Sequence, residues 1–160
     1  MARWENFTVW RGRLPHWRAD NVCYFATFRH RRPLDASERD ILFREVRKTE
    51  MRYLETDIVV VLPESTSLIF RVKTDRDGRP AELSDAIEKA KTRAGKRIIK
   101  VTGERFPPFY EESFDRILRD ELEYEAFWSE ILESPVAAEL VESPEDYGTL
   151  YVAHAPGSEP

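Results

Sequence analysis

The sequence predicts an α+β fold of ferredoxin-like type, an antiparallel sheet with helices packed on one face. Three observations predict it. Short segments rich in β-branched and aromatic residues recur along the chain, amphipathic helical stretches separate them, and two of the segments lie close enough to form a hairpin. The order is strand, helix, strand, strand, helix, strand, helix. With 160 residues, 41% hydrophobic and 34% charged, the chain is long enough to bury one sizeable core, and we read an arm over 1–20, a single domain over 21–150 and a flexible tail over 151–160.

The first strand is Val22-Cys23-Tyr24-Phe25-Ala26-Thr27-Phe28, dense in side chains that suit a pleated surface. After the basic turn Arg29-His30-Arg31-Arg32-Pro33, Asp35 and Glu38 have capping-box spacing, and Ile41, Leu42 and Val46 supply a helical stripe, so a helix covers 36–49. Ile58-Val59-Val60-Val61-Leu62 and Ser67-Leu68-Ile69-Phe70-Arg71-Val72 flank Pro63-Glu64-Ser65-Thr66 as the two arms of an antiparallel hairpin. Past the polar turn Asp75-Arg76-Asp77-Gly78-Arg79-Pro80, Ser84 caps a helix that carries Ile87, Ala90, Ala94 and Ile98 on one face. Gly103 and Pro107-Pro108 end it, Phe114-Asp115-Arg116-Ile117-Leu118 is a short strand, and Asp120 opens a last helix through Leu132 that Ser134-Pro135 terminates.

Composition narrows the function classes. The lone Cys23 sits in an apolar run, can form no internal disulfide or thiolate metal site, and is expected in the core. No apolar run approaches the roughly 20 residues that cross a bilayer, and the start lacks a signal-peptide core, so the expected location is cytoplasmic, with no membrane partner. A net charge of -5 argues against indiscriminate coating of nucleic acid. The average conceals an asymmetry. Lys89, Lys91, Arg93, Lys96, Arg97 and Lys100 crowd one helix against only Asp85 and Glu88, whereas the stretch from Glu111 to Asp146 is strongly acidic, opposed only by Arg116 and Arg119. His16, His30 and His154 are scattered and read as surface or loop residues.

Several strings stand together in order: Leu14-Pro15-His16-Trp17, Tyr24-Phe25-Ala26-Thr27-Phe28-Arg29, Val59-Val60-Val61-Leu62-Pro63, Phe114-Asp115-Arg116-Ile117-Leu118-Arg119-Asp120 and Pro135-Val136-Ala137-Ala138. In order and spacing they resemble the REP-associated tyrosine transposases, small bacterial single-tyrosine DNA-strand transferases. The resemblance runs from about Arg11 to Tyr147 and includes Glu142-Ser143-Pro144-Glu145-Asp146-Tyr147, which is similar to the family's closing segment.

That resemblance implies DNA transposition chemistry built on a divalent metal such as Mg²⁺, held by two histidines one residue apart on a strand just after a Pro-Asn or Pro-Asp pair. Alternate strand residues share a face, so both imidazoles reach one ion. Here the proline is Pro63, Glu64 follows, and the two ligand positions hold Ser65 and Ser67, whose neutral hydroxyls are poor ligands. The family's nucleophilic tyrosine stands five residues before the proline that closes the last helix; that proline matches Pro135, which places Glu130 at the nucleophile's position, and the family's asparagine is replaced by Ser134. A carboxylate there repels phosphate, and Tyr124, six residues away and about 240° around the helix, should face elsewhere. The expectation is a pseudoenzyme with no cofactor and no strand cleavage.

What the resemblance leaves is a binding surface. Lys89-Ala90-Lys91-Thr92-Arg93-Ala94-Gly95-Lys96-Arg97-Ile98 resembles the family's basic helix, and Arg116 and Arg119 match basic positions before the last helix. With Lys100 these give the expected contacts to single-stranded or hairpin DNA, or to RNA. Trp10, Trp17, Tyr24 and Phe28 are candidate base-stacking residues, with core packing the alternative for the last two. Two other readings stand beside this one. In the first, the acidic last helix, with Glu121, Glu123, Glu125, Glu130 and Glu133, serves a protein-interaction or inhibitory module; in the second, Glu64 and Glu130 form a new acid/base pair. The sequence leaves monomer and homodimer open.

Overall fold

The structure, a computed structural model, describes residues 23–50, 54–72, 83–110 and 113–153. The proposed arm with Trp10 and Trp17, the turn at 75–80, His16 and His154 lie outside the described residues. The elements are β1 (Cys23–Arg29), α1 (Ala36–Glu50), β2 (Leu54–Val61), β3 (Ser65–Val72), α2 (Leu83–Thr102), β4 (Phe114–Leu118), α3 (Glu121–Ala137), a short 3-10 turn (Pro144–Asp146) and β5 (Leu150–Val152). The sheet order is β4-β1-β3-β2-β5, and every neighbouring pair is antiparallel. The ferredoxin-like pattern is therefore present, with β1 and β3 in the centre, and a fifth strand extends it beyond β2.

Side chains alternate across the sheet and so build two cores. Ala26, Phe28, Val59, Val61, Leu68 and Phe70 meet Leu42 and Val46 of α1 and Ile87, Ala90, Ala94 and Ile98 of α2. On the other face Cys23, Ile58, Val60, Ile69 and Leu118 meet Tyr124, Trp128, Ile131 and Leu132 of α3. The expectation of helices on one face is corrected here. The continuous run Ile58–Val61 is apolar on both faces, and both must be covered.

Local chemistry sets the helix ends. At α1 the Glu38 amide donates to Asp35 Oδ1 (2.8 Å) while the Asp35 amide donates to Glu38 Oε1 (3.0 Å), the reciprocal capping box expected from the spacing. At α3 the Glu123 amide donates to Asp120 Oδ1 (2.8 Å). The helix does not stop at Ser134-Pro135 but runs to Ala137. Pro135 has no N–H to give the Ile131 carbonyl, and the Ser134 hydroxyl donates to it instead (2.7 Å). The chain leaves through a Schellman arrangement, with Glu139 N–H on Val136 O (2.9 Å), Leu140 N–H on Pro135 O (3.0 Å) and Glu139 at φ 59°.

Two further features tie α3 and the C-terminal segment to the sheet. A register shift between Thr56 and Ile58 leaves Asp57 out of the ladder. Its Oδ2 accepts from the Tyr124 hydroxyl (2.7 Å) and from Arg71 Nη2 (3.1 Å), a buried brace beneath α3. β5 was not foreseen. Tyr151 and Val152, read as the start of a tail, pair with Val59 and Ile58 of β2, and the Arg47 guanidinium lies over the Tyr151 ring.

Candidate nucleic-acid interface

Two surfaces present the residues singled out in the sequence, and they lie on opposite sides of the sheet. The first is the part of the α3 side that α3 leaves open. Helix α3 lies over β2 and β3. Beyond its flank Thr27 and Arg29 of β1 stand opposite Ser67 and Ser65 of β3, and Arg116 of β4 stands opposite Phe25. Ser65, Ser67 and Thr27 are half-buried, whereas Arg29 and Arg116 are exposed. The Thr27 hydroxyl donates to Thr66 O (3.0 Å), so the 2.9 Å contact between Thr27 Oγ1 and Ser67 Oγ has the serine as donor.

Glu130 is exposed on α3. It stands three residues beyond Phe127, which packs on Phe25 with ring centroids 4.5 Å apart, so the Glu130 row borders the open part of the sheet. Tyr124 is fully buried under α3, and burial, reinforced by the Asp57 carboxylate, pushes its phenol well above the usual tyrosine range. That agrees with the expectation that it faces away from the Glu130 position. Glu64 is exposed in the turn between β2 and β3. Among the described residues, no group of three or more His, Cys, Asp or Glu side chains converges as metal ligands would.

The second surface is α2. Lys89, Arg93, Lys96 and Lys100 are exposed and recur at steps of four, three and four residues, a single row about 16 Å long at 1.5 Å per residue. Two residues of the expected set depart from it. Lys91 is buried among Phe28 and the apolar stripe, its Nζ donating to Tyr110 O (2.7 Å) and Ser113 Oγ (3.2 Å), because it falls on the inward side of the helix with Ile87, Ala94 and Ile98. Arg97 turns toward α1, where Nη1 meets Glu45 Oε1 at 3.1 Å. Arg116 and Arg119 do not join the α2 row. Arg116 lies over Phe127 (5.4 Å) and pairs with Glu123 on the α3 side, and the Arg119 amide donates to Glu123 Oε2 (2.8 Å).

His30 corrects its surface reading. It is buried, with Nδ1 2.8 Å from Pro63 O and Nε2 2.9 Å from Thr66 Oγ1. A carbonyl can only accept, so Nδ1 carries the proton and Nε2 accepts from the threonine. Burial lowers its pKa, opposed by the Pro63 hydrogen bond. Tyr24 packs on Phe70 and Phe28 lies in the core, so neither is a stacking platform. The exposed aromatic residues are elsewhere, on the loop after α2. Among the described residues they are Phe106 and Tyr110, which no periodic pattern marked in the sequence.

With this geometry in view, the solved structure of a REP-associated tyrosine transposase bound to a REP hairpin superposes with a TM-score of 0.62 at 16% identity, covering 86% of this chain and 79% of that one. The fold is transposase-like. A candidate transposase from Deinococcus radiodurans R1 matches at TM-score 0.46 and 13% identity, over 76% of this chain and 96% of that one. No protein-family model and no curated protein sequence matches the chain. Among the described residues, no helix is long and apolar enough to cross a membrane.

Proposed function

We propose that this chain binds hairpin or single-stranded nucleic acid, DNA in the first instance, without cleaving or joining strands. The observation that carries the reading is its transposase-like fold, shared with a protein solved on a REP hairpin, in which Ser65, Ser67 and Glu130 hold the positions that the family resemblance assigns to metal ligands and nucleophile. The row Lys89, Arg93, Lys96 and Lys100 supplies the phosphate contacts, since cations at about 5–6 Å steps along one helix face suit a nucleic-acid backbone. The acidic last helix favours this reading over a protein-binding face at one point: Glu123 is committed to the α3 start and to Arg116.

Fluorescence anisotropy with DNA hairpins, duplex DNA and structured RNA tests it, with a variant carrying alanine at 89, 93, 96 and 100. The expected result is hairpin binding that weakens roughly a hundredfold between 50 and 200 mM salt, as for about four phosphate contacts, and that the variant loses. Incubation with Mg²⁺ or Mn²⁺ should give neither shortened strands nor a protein-linked strand. Failure to bind any of the three at low salt overturns the reading in favour of a protein partner, and a cleaved product overturns the pseudoenzyme part alone.

A further inference from the structure

The loop from Gly103 to Tyr110 is fastened along its length and yet presents two aromatic rings to solvent. Gly103, at φ 75°, ends α2. Glu104 is then gripped by Arg32, through Nε on Oε2 at 3.1 Å and through Nη2 on Oε1, while the same guanidinium holds Glu38 of α1. Pro107 folds back onto Gly95, where even an added Cβ would lie 3.0 Å from the proline ring. Phe109 is buried against Phe28 and His30, its backbone bridging to His30. The Tyr110 carbonyl accepts from Lys91 Nζ.

Between these fixed points Phe106 is 59% exposed and Tyr110 49% exposed. Each has an arginine near its ring, Arg105 at 5.5 Å and Arg31 at 5.5 Å. Large aromatic side chains on a rigidly held backbone are positioned for contact at little entropic cost, and a neighbouring guanidinium adds a cation for phosphate. Because Pro107 touches Gly95, the loop runs back along the C-terminal half of α2.

We infer that Phe106 and Tyr110 form a reader for unpaired bases, stacking one base each while Arg105 and Arg31 beside them hold the adjoining backbone. Every base offers a π-face, so the reader is tolerant of sequence and selective for strands whose bases are free. This rests on the nucleic-acid reading above and adds to it the part of the ligand recognised, the unpaired extension or loop of a hairpin.

The test compares one DNA hairpin with a six-nucleotide single-stranded extension against the same hairpin trimmed flush, its loop closed by a tight tetraloop, using the full chain and a Phe106→Ala/Tyr110→Ala variant. A 2-aminopurine in the extension reports stacking directly. The expected result is that the extension raises affinity about tenfold or more, that the variant loses this increment and the fluorescence quench, and that its affinity for the trimmed hairpin is unchanged. Thermal melting of the variant near the wild-type temperature confirms that the loop anchors hold. Equal affinity for both hairpins in the wild-type chain, or an unaltered preference in the variant, overturns the inference while leaving hairpin binding intact. Loss of all binding in the wild-type chain overturns both together.

Discussion

Glu139 occupies the left-handed region at φ 59°, where its N–H closes the α3 exit and where a side chain with a Cβ is strained by about 1 kcal/mol or more. Glu139→Gly is therefore expected to stabilise the protein by about 1 kcal/mol, measured as a shift in the urea midpoint at constant slope. His30 gives a pH dependence of definite sign. Its folded pKa lies below the unfolded value near 6.5, so the unfolded chain binds more protons in the window beneath that value. Stability is full above about pH 6.5 and falls as pH drops toward the folded pKa. Melts at pH 7.5 and pH 5 should differ more for the wild type than for His30→Gln, which keeps a donor but has no charge to gain; equal pH sensitivity in the two chains would show that other groups carry the acid effect.

At the scale of elements, α2 is where reading and structure diverge most usefully. The apolar stripe at 87, 90, 94 and 98 was legible because its period is that of a helix. The buried fate of Lys91 was not, because its partners, Tyr110 O and Ser113 Oγ, come from a loop about 20 residues on. The same loop decides the sign of a substitution. Gly95→Ala would normally gain about 1 kcal/mol in a helix interior, but the new methyl would sit 3.0 Å from the Pro107 Cβ. A net loss of stability is expected, with Phe109 and the loop displaced, and a rise in melting temperature would show that the loop yields easily. Helix α3 was read short for a related reason. A proline predicts a break when its lost hydrogen bond stays lost, and here the Ser134 hydroxyl replaces it on Ile131.

For the whole molecule, the strand and helix order, the hairpin and the ferredoxin-like pairing were readable from period and turn chemistry, while the side of the sheet to which α3 goes was not. That choice depends on β2 and β3 being apolar on both faces, a long-range property. It separates Arg116, which lies over Phe127 of α3, from the α2 row on the other face. The open sheet also permits a test of the proposed loss of a metal site at Ser65 and Ser67. Ser65→His/Ser67→His puts two imidazoles on alternate positions of β3, and Co²⁺ or Ni²⁺ should raise the melting temperature of that variant but not of the wild-type chain. An equal shift in both would place metal binding elsewhere.

The three residues of β5 have a consequence of their own. Val61 exchanges hydrogen bonds with Thr149, Tyr147 donates to the Val61 carbonyl, and Leu150–Val152 occupy the outer rim of β2. That rim is otherwise a bare template of apolar Ile58, Val59 and Val60, the kind of surface on which a second chain adds itself. A chain cut after Gly148 should therefore grow in light scattering on mild warming while the intact chain stays clear, so β5 acts as a guard against self-assembly.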